Sequence, residues 1–435
     1  MKISKYNFFL PYESEKEKYI AYNSLSNSMA LINKDDYEKY RGLAENDIKI
    51  NNNELVEQLK LGGFLIDDEI DEKKQIQFNM YKNRFENDKL SLTLAPTSDC
   101  NFRCIYCYEK DNIKNTYMNK ETQGNLIKLV KNYSKKISHL NIGWYGGEPL
   151  LAMDIIENLS KEFISICREN NISYYASMVT NGYNLTRENI EKINEFKISL
   201  LQITLDGDEK THNSRRFLKG GQPTYSRIIN NIISNKEILP ETAIRINVDS
   251  NNSKKINDVI NILVENQLQS KVKPYLGHVI NTNDCYSDNK CLRFSEYCDL
   301  DYEFESYLIS RGFTKASTKR YPQRIGTVCA ADTFSSHVID ANGDLYRCWS
   351  DLGDISKKVG NVNNKEDIKA DRKIIDFMIY DPTEDEKCKE CKHLPICMGG
   401  CPMKVRDNIE DRCSDTKFKL ESYLNNVVKE LKNTK

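Results

Sequence analysis

The chain has 435 residues, 39% of them hydrophobic and 29% charged, and its formal net charge at pH 7 is −1. This length indicates two or three domains. The balance of acidic and basic residues gives no electrostatic footprint for nucleic acid or an anionic membrane. No apolar run has the length of a signal peptide or a membrane span. We therefore expect a cytoplasmic protein with no nucleic-acid and no membrane partner.

Aromatic and β-branched residues dominate the first part of the chain. Tyr6–Tyr12 and Tyr19–Ile32 are predicted as strands around a polar turn. Asn33 is expected to cap a helix, and a second helix over Asn53–Leu61 ends at a Gly-Gly pair. These elements predict a winged-helix-like module over residues 1–88.

Apolar strand-like runs alternate with amphipathic helical ones over residues 89–320. This alternation predicts an α/β domain with a parallel sheet, here a partial (β/α)6 TIM-like barrel. Chemistry in such barrels occurs at the carboxyl ends of the strands. The predicted strands are Leu90–Ala95, Leu140–Tyr145, Ser173–Val179, Leu200–Leu205, Ala243–Val248 and Val272–Val279.

Three cysteines follow the first of these strands with the spacing C-x3-C-x2-C, at Cys100, Cys104 and Cys107. Their sulfurs can converge on one metal centre, because thiolates bind soft and borderline metals. A four-iron cubane held by three thiolates keeps one iron free for a small molecule. The alternatives are a zinc loop completed by a distant residue and buried thiols without a metal.

With Tyr106 just before its third cysteine, this loop resembles the signature of the radical S-adenosylmethionine (SAM) enzymes. The resemblance implies a [4Fe-4S] cluster on Cys100, Cys104 and Cys107, with the amino and carboxylate groups of SAM on the fourth iron. Reduction of SAM would then release a 5′-deoxyadenosyl radical that abstracts a hydrogen atom from the substrate. A reducing donor such as flavodoxin or ferredoxin is the implied partner.

Gly146, Gly147 and Glu148 follow the second predicted strand. Paired glycines let a backbone approach a ligand closely, and a carboxylate can receive an ammonium group. Without further context, this segment could equally be a simple turn with no ligand. After a cysteine loop it resembles the family's GGE motif, which would hold the SAM amino group. Thr180–Gly182, after the third strand, is interpreted as mainly structural.

The segment from Thr204 to Arg216 resembles the family's S-x-D-G…H-D-x-x-R pattern, with Thr204 in place of Ser and Asn213 in place of Asp. Thr204 keeps the hydroxyl and is a candidate for binding SAM. Arg216 and Arg227 are candidates for its carboxylate, because a guanidinium matches two oxygens; surface salt bridges are the alternative. For a loop histidine such as His212, a structural role in a turn, with its hydrogen bonds satisfied, is commoner than a role as catalytic base.

Seven cysteines occur after residue 328. Metal ligation explains them best in a chain without an export signal, with zinc ribbons as the alternative. An Asn-Gly turn between Ser336–Ile339 and Leu345–Arg347 predicts a hairpin. The seven are Cys329, Cys348, Cys388, Cys391, Cys397, Cys401 and Cys413.

Their pattern resembles the SPASM domain of radical SAM peptide maturases, expected here over residues 321–435. The resemblance implies two auxiliary [4Fe-4S] clusters. The outer cluster would bind Cys388, Cys391, Cys397 and Cys413, and the inner one Cys329, Cys348 and Cys401. Ser335 stands where some relatives have a further cysteine. The inner cluster therefore either keeps an open site, which a substrate thiolate could fill, or takes one of Cys285, Cys291 and Cys298.

A radical SAM core with these additions is similar to enzymes that modify ribosomally synthesised precursor peptides. The resemblance implies hydrogen abstraction followed by an oxidative cross-link, either a thioether or a carbon–carbon bond. Residues 1–88 would bind an extended leader peptide by adding it to a sheet edge; a cap that stabilises or dimerises the barrel is the alternative. Asp332, Asp340 and Asp351 are candidate proton acceptors, and Arg245 and Asn247 are expected to point into the barrel toward the nucleoside.

Two other functions fit parts of the pattern. An anaerobic sulfatase-type maturase would oxidise a Ser or Cys residue to formylglycine. An iron–sulfur electron carrier or a zinc scaffold would have no turnover at all. Release of 5′-deoxyadenosine would distinguish either enzyme, the peptide maturase or the sulfatase-type maturase, from a carrier or scaffold without turnover.

Overall fold

The computed structural model describes residues 1–44, 53–86, 88–314, 316, 320–364 and 372–433. The chain forms two compact units. The first comprises Met1–Phe85, Ser317–Thr333 and Phe377–Lys435, and the second comprises Glu86–Ala316 and Phe334–Asp376. The predicted three-domain division at 88/89 and 320/321 stays a proposal. None of the helices in the described ranges is long and apolar enough to cross a membrane.

The N-terminal part of the first unit combines a small sheet with helices. Its elements are β1 (Lys2–Ile3), β2 (Asn7–Pro11), β3 (Lys18–Asn23), β4 (Ser28–Asn33), α1 (Lys34–Ala44), α2 (Asn53–Leu61), β5 (Leu65–Ile66) and α3 (Glu72–Arg84). The antiparallel strands β2, β3 and β4 form one sheet in that order, and β1 pairs with β5. As predicted, Asn33 caps α1, because its Oδ1 accepts the Asp36 amide at 2.8 Å.

The predicted single strand Tyr19–Ile32 is wrong, because the chain reverses within it. Asn23 Oδ1 accepts the amides of Leu25 at 2.9 Å and Ser26 at 2.7 Å, and Asn27 adopts a positive φ of 61°. Asparagine favours such turns, since its side chain bonds the following backbone. The result is a hairpin that makes β4 the last strand of its sheet.

The second unit is built on six parallel strands, which confirms the predicted partial (β/α)6 barrel. The strands are β6 (Lys89–Leu94), β7 (His139–Trp144), β8 (Ser173–Thr180), β9 (Ile198–Thr204), β10 (Glu241–Val248) and β11 (Val272–His278). The helices are α4 (Lys120–Tyr133), α5 (Met153–Glu169), α6 (Arg187–Glu195), α7 (Glu209–Arg215), α8 (Tyr225–Ser234), α9 (Ile256–Glu265) and α10 (Phe294–Ser310). Neighbouring strands follow chain order. Alternate strand residues are buried, as expected for a sheet covered by helices.

The predicted hairpin forms and extends this sheet. β12 (Ser336–Ile339) lies parallel to β6, and β13 (Asp344–Tyr346) and β14 (Gly360–Asn361) follow it, so the described part of the sheet has nine strands. Asp340 supports the turn, because its Oδ1 accepts the amides of Asn342 and Asp344 at 2.9 Å each. Burial raises the pKa of Asp340 to about 6.

The C-terminal helices are α11 (Arg372–Ile379), α12 (Leu394–Cys397), α13 (Pro402–Arg406) and α14 (Thr416–Asn433). Within the first unit, the two ends of the chain share one apolar cluster. Ile76 and Met80 of α3 pack with Cys388, Leu394 and Met398. The N-terminal elements therefore share this cluster with the cysteine-rich C-terminal segment, beside an apolar cluster of their own that includes Tyr40, Leu59 and Phe64.

Candidate active site

The cysteine loop begins after β6 and is held by backbone pairing. Its Arg103 amide donates to the Phe217 carbonyl at 2.8 Å, and the Ile105 amide donates to the Arg215 carbonyl at 3.0 Å. Phe102 is buried within this pairing. The loop conformation is thus fixed by the segment that follows α7.

Cys100, Cys104 and Cys107 all line one cavity of about 350 Å³. Burial raises the pKa of each thiol, and Glu148 raises that of Cys100 further. A metal would displace these protons, because coordination stabilises the thiolate. No three Cys, His, Asp or Glu side chains in the described residues converge closely enough for one metal ion. Three cysteines on one loop are compatible with a cubane, since each thiolate of a cubane binds its own iron.

The two glycines of the GGE segment bring it against the cysteine loop. The Gly147 amide donates to the Thr97 carbonyl at 3.2 Å, and the Glu148 amide donates to the Asp99 carbonyl at 2.9 Å. A Cβ at Gly147 would lie 2.1 Å from the Asp99 carbonyl oxygen, and Gly146 has a φ of +99°. The two glycines are explained by the close approach of these two backbone segments, not by a ligand alone.

Gly147→Ala is therefore expected to separate the two loops and to destabilise the fold by about 2 kcal/mol, in the range for an overpacked site. Iron content after anaerobic reconstitution should fall as well. Gly124→Ala is the control, because a Cβ there meets no atom within 4 Å and alanine favours helix α4. Thermal unfolding and iron analysis measure both variants. Equal stability of the two would contradict the assignment.

Glu148 is buried, and donors from three residues fix its carboxylate. Oε1 accepts from the Thr180 hydroxyl at 2.7 Å and the Leu150 amide at 3.1 Å, and Oε2 accepts from the Asn181 amide at 2.7 Å. Burial raises the pKa of Glu148. Thr180–Gly182 was expected to be mainly structural, and its structural role is to orient this carboxylate in the cavity.

Tyr106 is the centre of a polar network behind the cysteine loop. Its hydroxyl donates to Asp206 and accepts from Arg216 at 3.0 Å and from Asn247 at 3.1 Å. Arg215 joins the network through Asp206, at 3.1 Å. An aromatic before the third cysteine therefore connects the loop to the ends of β9 and β10.

The two arginines predicted for the SAM carboxylate differ in position. Arg216 is buried and lines the cavity, and its Nε has no hydrogen-bond partner in the described residues. Arg227 is exposed, and its guanidinium lies over the ring of Tyr183, 4.3 Å from the centroid. It is not among the residues that line the cavity. The structure therefore brings Arg216, but not Arg227, to the site.

The other predicted contacts lie around the same cavity, lined by Gly146, Gly147, Glu148, Thr204, Arg216, Arg245 and Asn247. Asn213 compensates for the missing aspartate, because its Oδ1 accepts the amides of Thr224 and Tyr225 at 2.9 and 3.0 Å. His212 is structural: it is buried, burial holds its pKa well below the usual range, and Nε2 meets the Thr224 hydroxyl at 3.1 Å.

Sequence reasoning missed several cavity residues. The rings of Tyr145 and Trp349 lie 5.2 Å apart between centroids, tilted by 43°, and both line the cavity together with Glu109. Cys285, which the sequence offered as a ligand of the inner cluster, lines this cavity as well. Burial raises the pKa of Glu109 to about 7. The position of Glu109 directly after the cysteine loop was the available signal. The candidate acids Asp332, Asp340 and Asp351 do not line the cavity.

The C-terminal cysteines of the first unit form a second cluster of thiols. Cys388, Cys391, Cys397 and Cys413 interact electrostatically. Arg412 donates to Cys388 Sγ at 3.6 Å, and Lys417 donates to Cys413 Sγ at 3.5 Å. Cys329 and Cys401 precede two contacting elements, residues 330–332 and α13. Asp332 shapes the first of these by accepting the Cys329 amide at 3.0 Å.

Residues 94–261 match the profile of the radical SAM superfamily. The chain therefore contains a radical SAM domain, as the cysteine loop predicts, and is a radical SAM enzyme of the oxidoreductase type. SAM and [4Fe-4S] clusters are its cofactors. An electron carrier or a zinc scaffold without turnover does not agree with this match.

Curated relatives and solved structures extend the likeness. A cysteine-type anaerobic sulfatase-maturating enzyme of Clostridium perfringens is 24% identical over 77% of this chain and 94% of its own length. The structure of native anSMEcpe with bound AdoMet and the Cp18Cys peptide has a TM-score of 0.62 and 21% identity, and covers 79% of this chain and 99% of that one. Streptococcus suis SuiB bound to the precursor peptide SuiA has a TM-score of 0.56 and 16% identity, and covers 94% of this chain and 98% of that one.

Proposed function

We propose that the protein modifies a ribosomally synthesised precursor peptide by hydrogen abstraction and an oxidative cross-link, either a thioether or a carbon–carbon bond. The share of this chain that each solved neighbour matches is the observation that carries this proposal. The peptide-bound anSMEcpe structure leaves about a fifth of this chain unmatched, although its own chain is 99% covered, whereas precursor-bound SuiB matches 94% of this chain. The additional region therefore favours a precursor peptide over a short sulfatase motif.

We assign the cofactor ligands from the cavity. Cys100, Cys104 and Cys107 would hold the reactive cluster, and SAM bound to it supplies a 5′-deoxyadenosyl radical for hydrogen abstraction. Glu148 would receive the SAM ammonium group. Arg216, whose buried Nε lacks a partner in the described residues, would receive the carboxylate. Thr204, which lines the cavity, would orient the nucleoside through its hydroxyl.

The auxiliary ligands are proposed from the spacing of the C-terminal cysteines, because these residues do not line the cavity. Cys388, Cys391, Cys397 and Cys413 would hold the outer cluster, and Cys329, Cys348 and Cys401 the inner one. A reducing donor of the flavodoxin or ferredoxin type and a cytoplasmic location remain predictions.

Lys417→Gln is expected to lower the reduction potential of the outer cluster by roughly 50 mV, because hydrogen bonds and positive charge near a cluster sulfur favour its reduced form. Lys417→Arg keeps the charge and the donor and should preserve the potential. An anaerobic redox titration followed by electron paramagnetic resonance measures both variants. Equal potentials in Lys417→Gln and the wild type would contradict the assignment of Cys413.

Leader binding is proposed for the outer edge of β4. The Lys34 amide donates to the Glu17 carbonyl at 2.9 Å, so the alternation of an antiparallel pair directs the amides of Met29 and Leu31 away from β3. At the opposite edge, Asn425 of α14 caps the end of β2 by accepting the Glu13 amide and donating to the Pro11 carbonyl. An added strand therefore fits best at β4.

Hydrogen–deuterium exchange of the intact enzyme tests this proposal. The precursor peptide should slow exchange at Met29 and Leu31 about tenfold or more, because a new strand would bond their amides. Ala21 in the centre of the sheet serves as the internal control. Protection elsewhere, with β4 unchanged, would contradict the assignment. Deleting residues 1–88 is a poor test, because it would expose the apolar cluster shared with the C-terminal segment.

Formylglycine formation is the second candidate, favoured by 24% identity over 94% of the Clostridium perfringens enzyme. Anaerobic holoenzyme should be incubated with SAM, a reductant and one of two peptides, the precursor encoded nearest to this gene or a cysteine-containing sulfatase segment. The proposed function predicts a precursor product that has lost two hydrogens. An aldehyde on the sulfatase segment, with an unchanged precursor, would establish the second candidate instead.

A further inference from the structure

Arg245 lies in the cavity wall formed by β10 and β11, and the proposed SAM contacts do not use it. Its Nε donates to Asn247 Oδ1 at 2.7 Å, and its guanidinium carbon lies 5.9 Å from the ring centroid of Tyr275. Asn247 follows two positions later on the same strand. The side chain is therefore held along the strand rather than extended into solvent.

The neighbouring strand leaves room for this guanidinium. Gly277 pairs in register with Asn247. A Cβ at Gly277 would lie 2.5 Å from Arg245 Nε and 2.7 Å from Cζ. A side chain at position 277 would therefore collide with the guanidinium, so Gly277 leaves the space that Arg245 occupies.

The charge of Arg245 has no carboxylate partner within the described residues. Its guanidinium interacts with the tyrosines Tyr275, Tyr145 and Tyr297. Arg215, in contrast, contacts Asp206 at 3.1 Å and Asp249 at 2.6 Å. Arg245 is half-buried in the cavity wall. A partly desolvated cation without an anion is costly, so the site is suited to an anion that arrives with a ligand.

The SAM carboxylate is not the best candidate for that anion. It would sit on the cluster iron, close to the cysteines, where Arg216 acts electrostatically on Cys104. Arg245 instead neighbours Tyr145 and Tyr275, and it connects to the cysteine loop only indirectly, through Asn247, which donates to the Tyr106 hydroxyl at 3.1 Å. Two guanidinium groups in one cavity therefore match two different carboxylates.

We propose that Arg245 binds a carboxylate of the peptide substrate, an Asp or Glu side chain near the residue that is modified. The inference rests on the proposed function and names a specificity determinant for it. A planar guanidinium selects carboxylates by paired hydrogen bonds. Asn247 and Gly277 would position it for that contact.

A peptide library tests the proposal with SAM-loaded, anaerobically reconstituted full-length enzyme. Synthetic peptides randomised around a central cysteine are incubated with the enzyme, and the bound fraction is sequenced by mass spectrometry. The wild type should enrich Asp and Glu over Asn and Gln about tenfold, as expected for a charged hydrogen bond. Arg245→Gln should remove the enrichment, and Arg245→Glu should reverse it toward Lys and Arg.

Two further variants and one measurement of SAM affinity complete the test. Asn247→Asp places a carboxylate beside Arg245 and should suppress the enrichment while the arginine stays in place. Arg187→Gln removes a charge from exposed helix α6 and should keep the enrichment. Calorimetry should give Arg245→Gln a SAM affinity within about twofold of the wild type, which also reports that the variant is folded.

The outcomes separate this inference from the proposed function. Equal enrichment in the wild type and Arg245→Gln would overturn the role of Arg245, and so would a tenfold or larger loss of SAM affinity. Acidic peptides that bind through Arg245 but keep all their hydrogens, while 5′-deoxyadenosine forms, would support that role and contradict cross-linking.

Discussion

Replacing Cys104 with alanine is expected to lower the rate of 5′-deoxyadenosine release at least about 10³-fold, because the reactive cluster would lose one of its three thiolates. Cys104 lies in the middle of the loop, beside the cavity that contains Glu148 and Arg216. Iron and sulfide analysis of anaerobically reconstituted protein, followed by chromatography of the nucleoside products, measures the effect. The auxiliary thiols should still bind iron, so the loss of iron is partial.

Cys167→Ala is the matched control for this experiment. Cys167 is 2% exposed and belongs to the buried side of α5, in its last turn. Its replacement leaves a small cavity but removes no cluster ligand, so nucleoside release per folded molecule should be unchanged. A native rate in Cys104→Ala would contradict the assignment of the reactive centre.

Glu148→Gln is expected to weaken SAM binding about a hundredfold, because it removes the negative charge opposite the ammonium group. The amide also fits the site poorly. The Thr180 hydroxyl and the Asn181 amide both donate to this side chain, and glutamine offers only one oxygen to accept them. Calorimetric titration with SAM under anaerobic conditions provides the affinity.

The control for that variant is Glu157→Gln on the exposed face of α5, where the carboxylate only pairs with Lys161. Exposed ion pairs of this kind contribute little to stability, and this pair does not line the cavity, so SAM affinity should not change. A dissociation constant for Glu148→Gln within about threefold of the wild type would show that another group holds the ammonium.

The barrel was predictable because each strand carries its own local signal. The six predicted strands end within one or two residues of the observed ones, for example Ser173–Val179 against Ser173–Thr180. Apolar runs between helical segments report burial on both faces of a parallel sheet. The pairing of β12 with β6 had no such signal, since it depends on contacts between residues more than 200 positions apart.

The site was predictable where chemistry restricts residue type and spacing. The cysteine loop, Glu148 and Arg216 meet at one cavity as expected. Arg227 does not line the cavity, because its guanidinium lies instead over the ring of Tyr183. The support that Thr180 gives to Glu148 was not visible in the sequence, since a Thr-Asn-Gly turn has the same residues whether or not it orients a carboxylate.

The apolar cluster that joins α3 to Cys388 has a further consequence. Side chains from both termini complete the same small core, so the proposed peptide capture and the proposed outer cluster would depend on the same packing. Air exposure that strips this iron should therefore also release the proposed anchor of the substrate. A protein purified in oxygen would then fail to bind its peptide, although every residue at the β4 edge was intact.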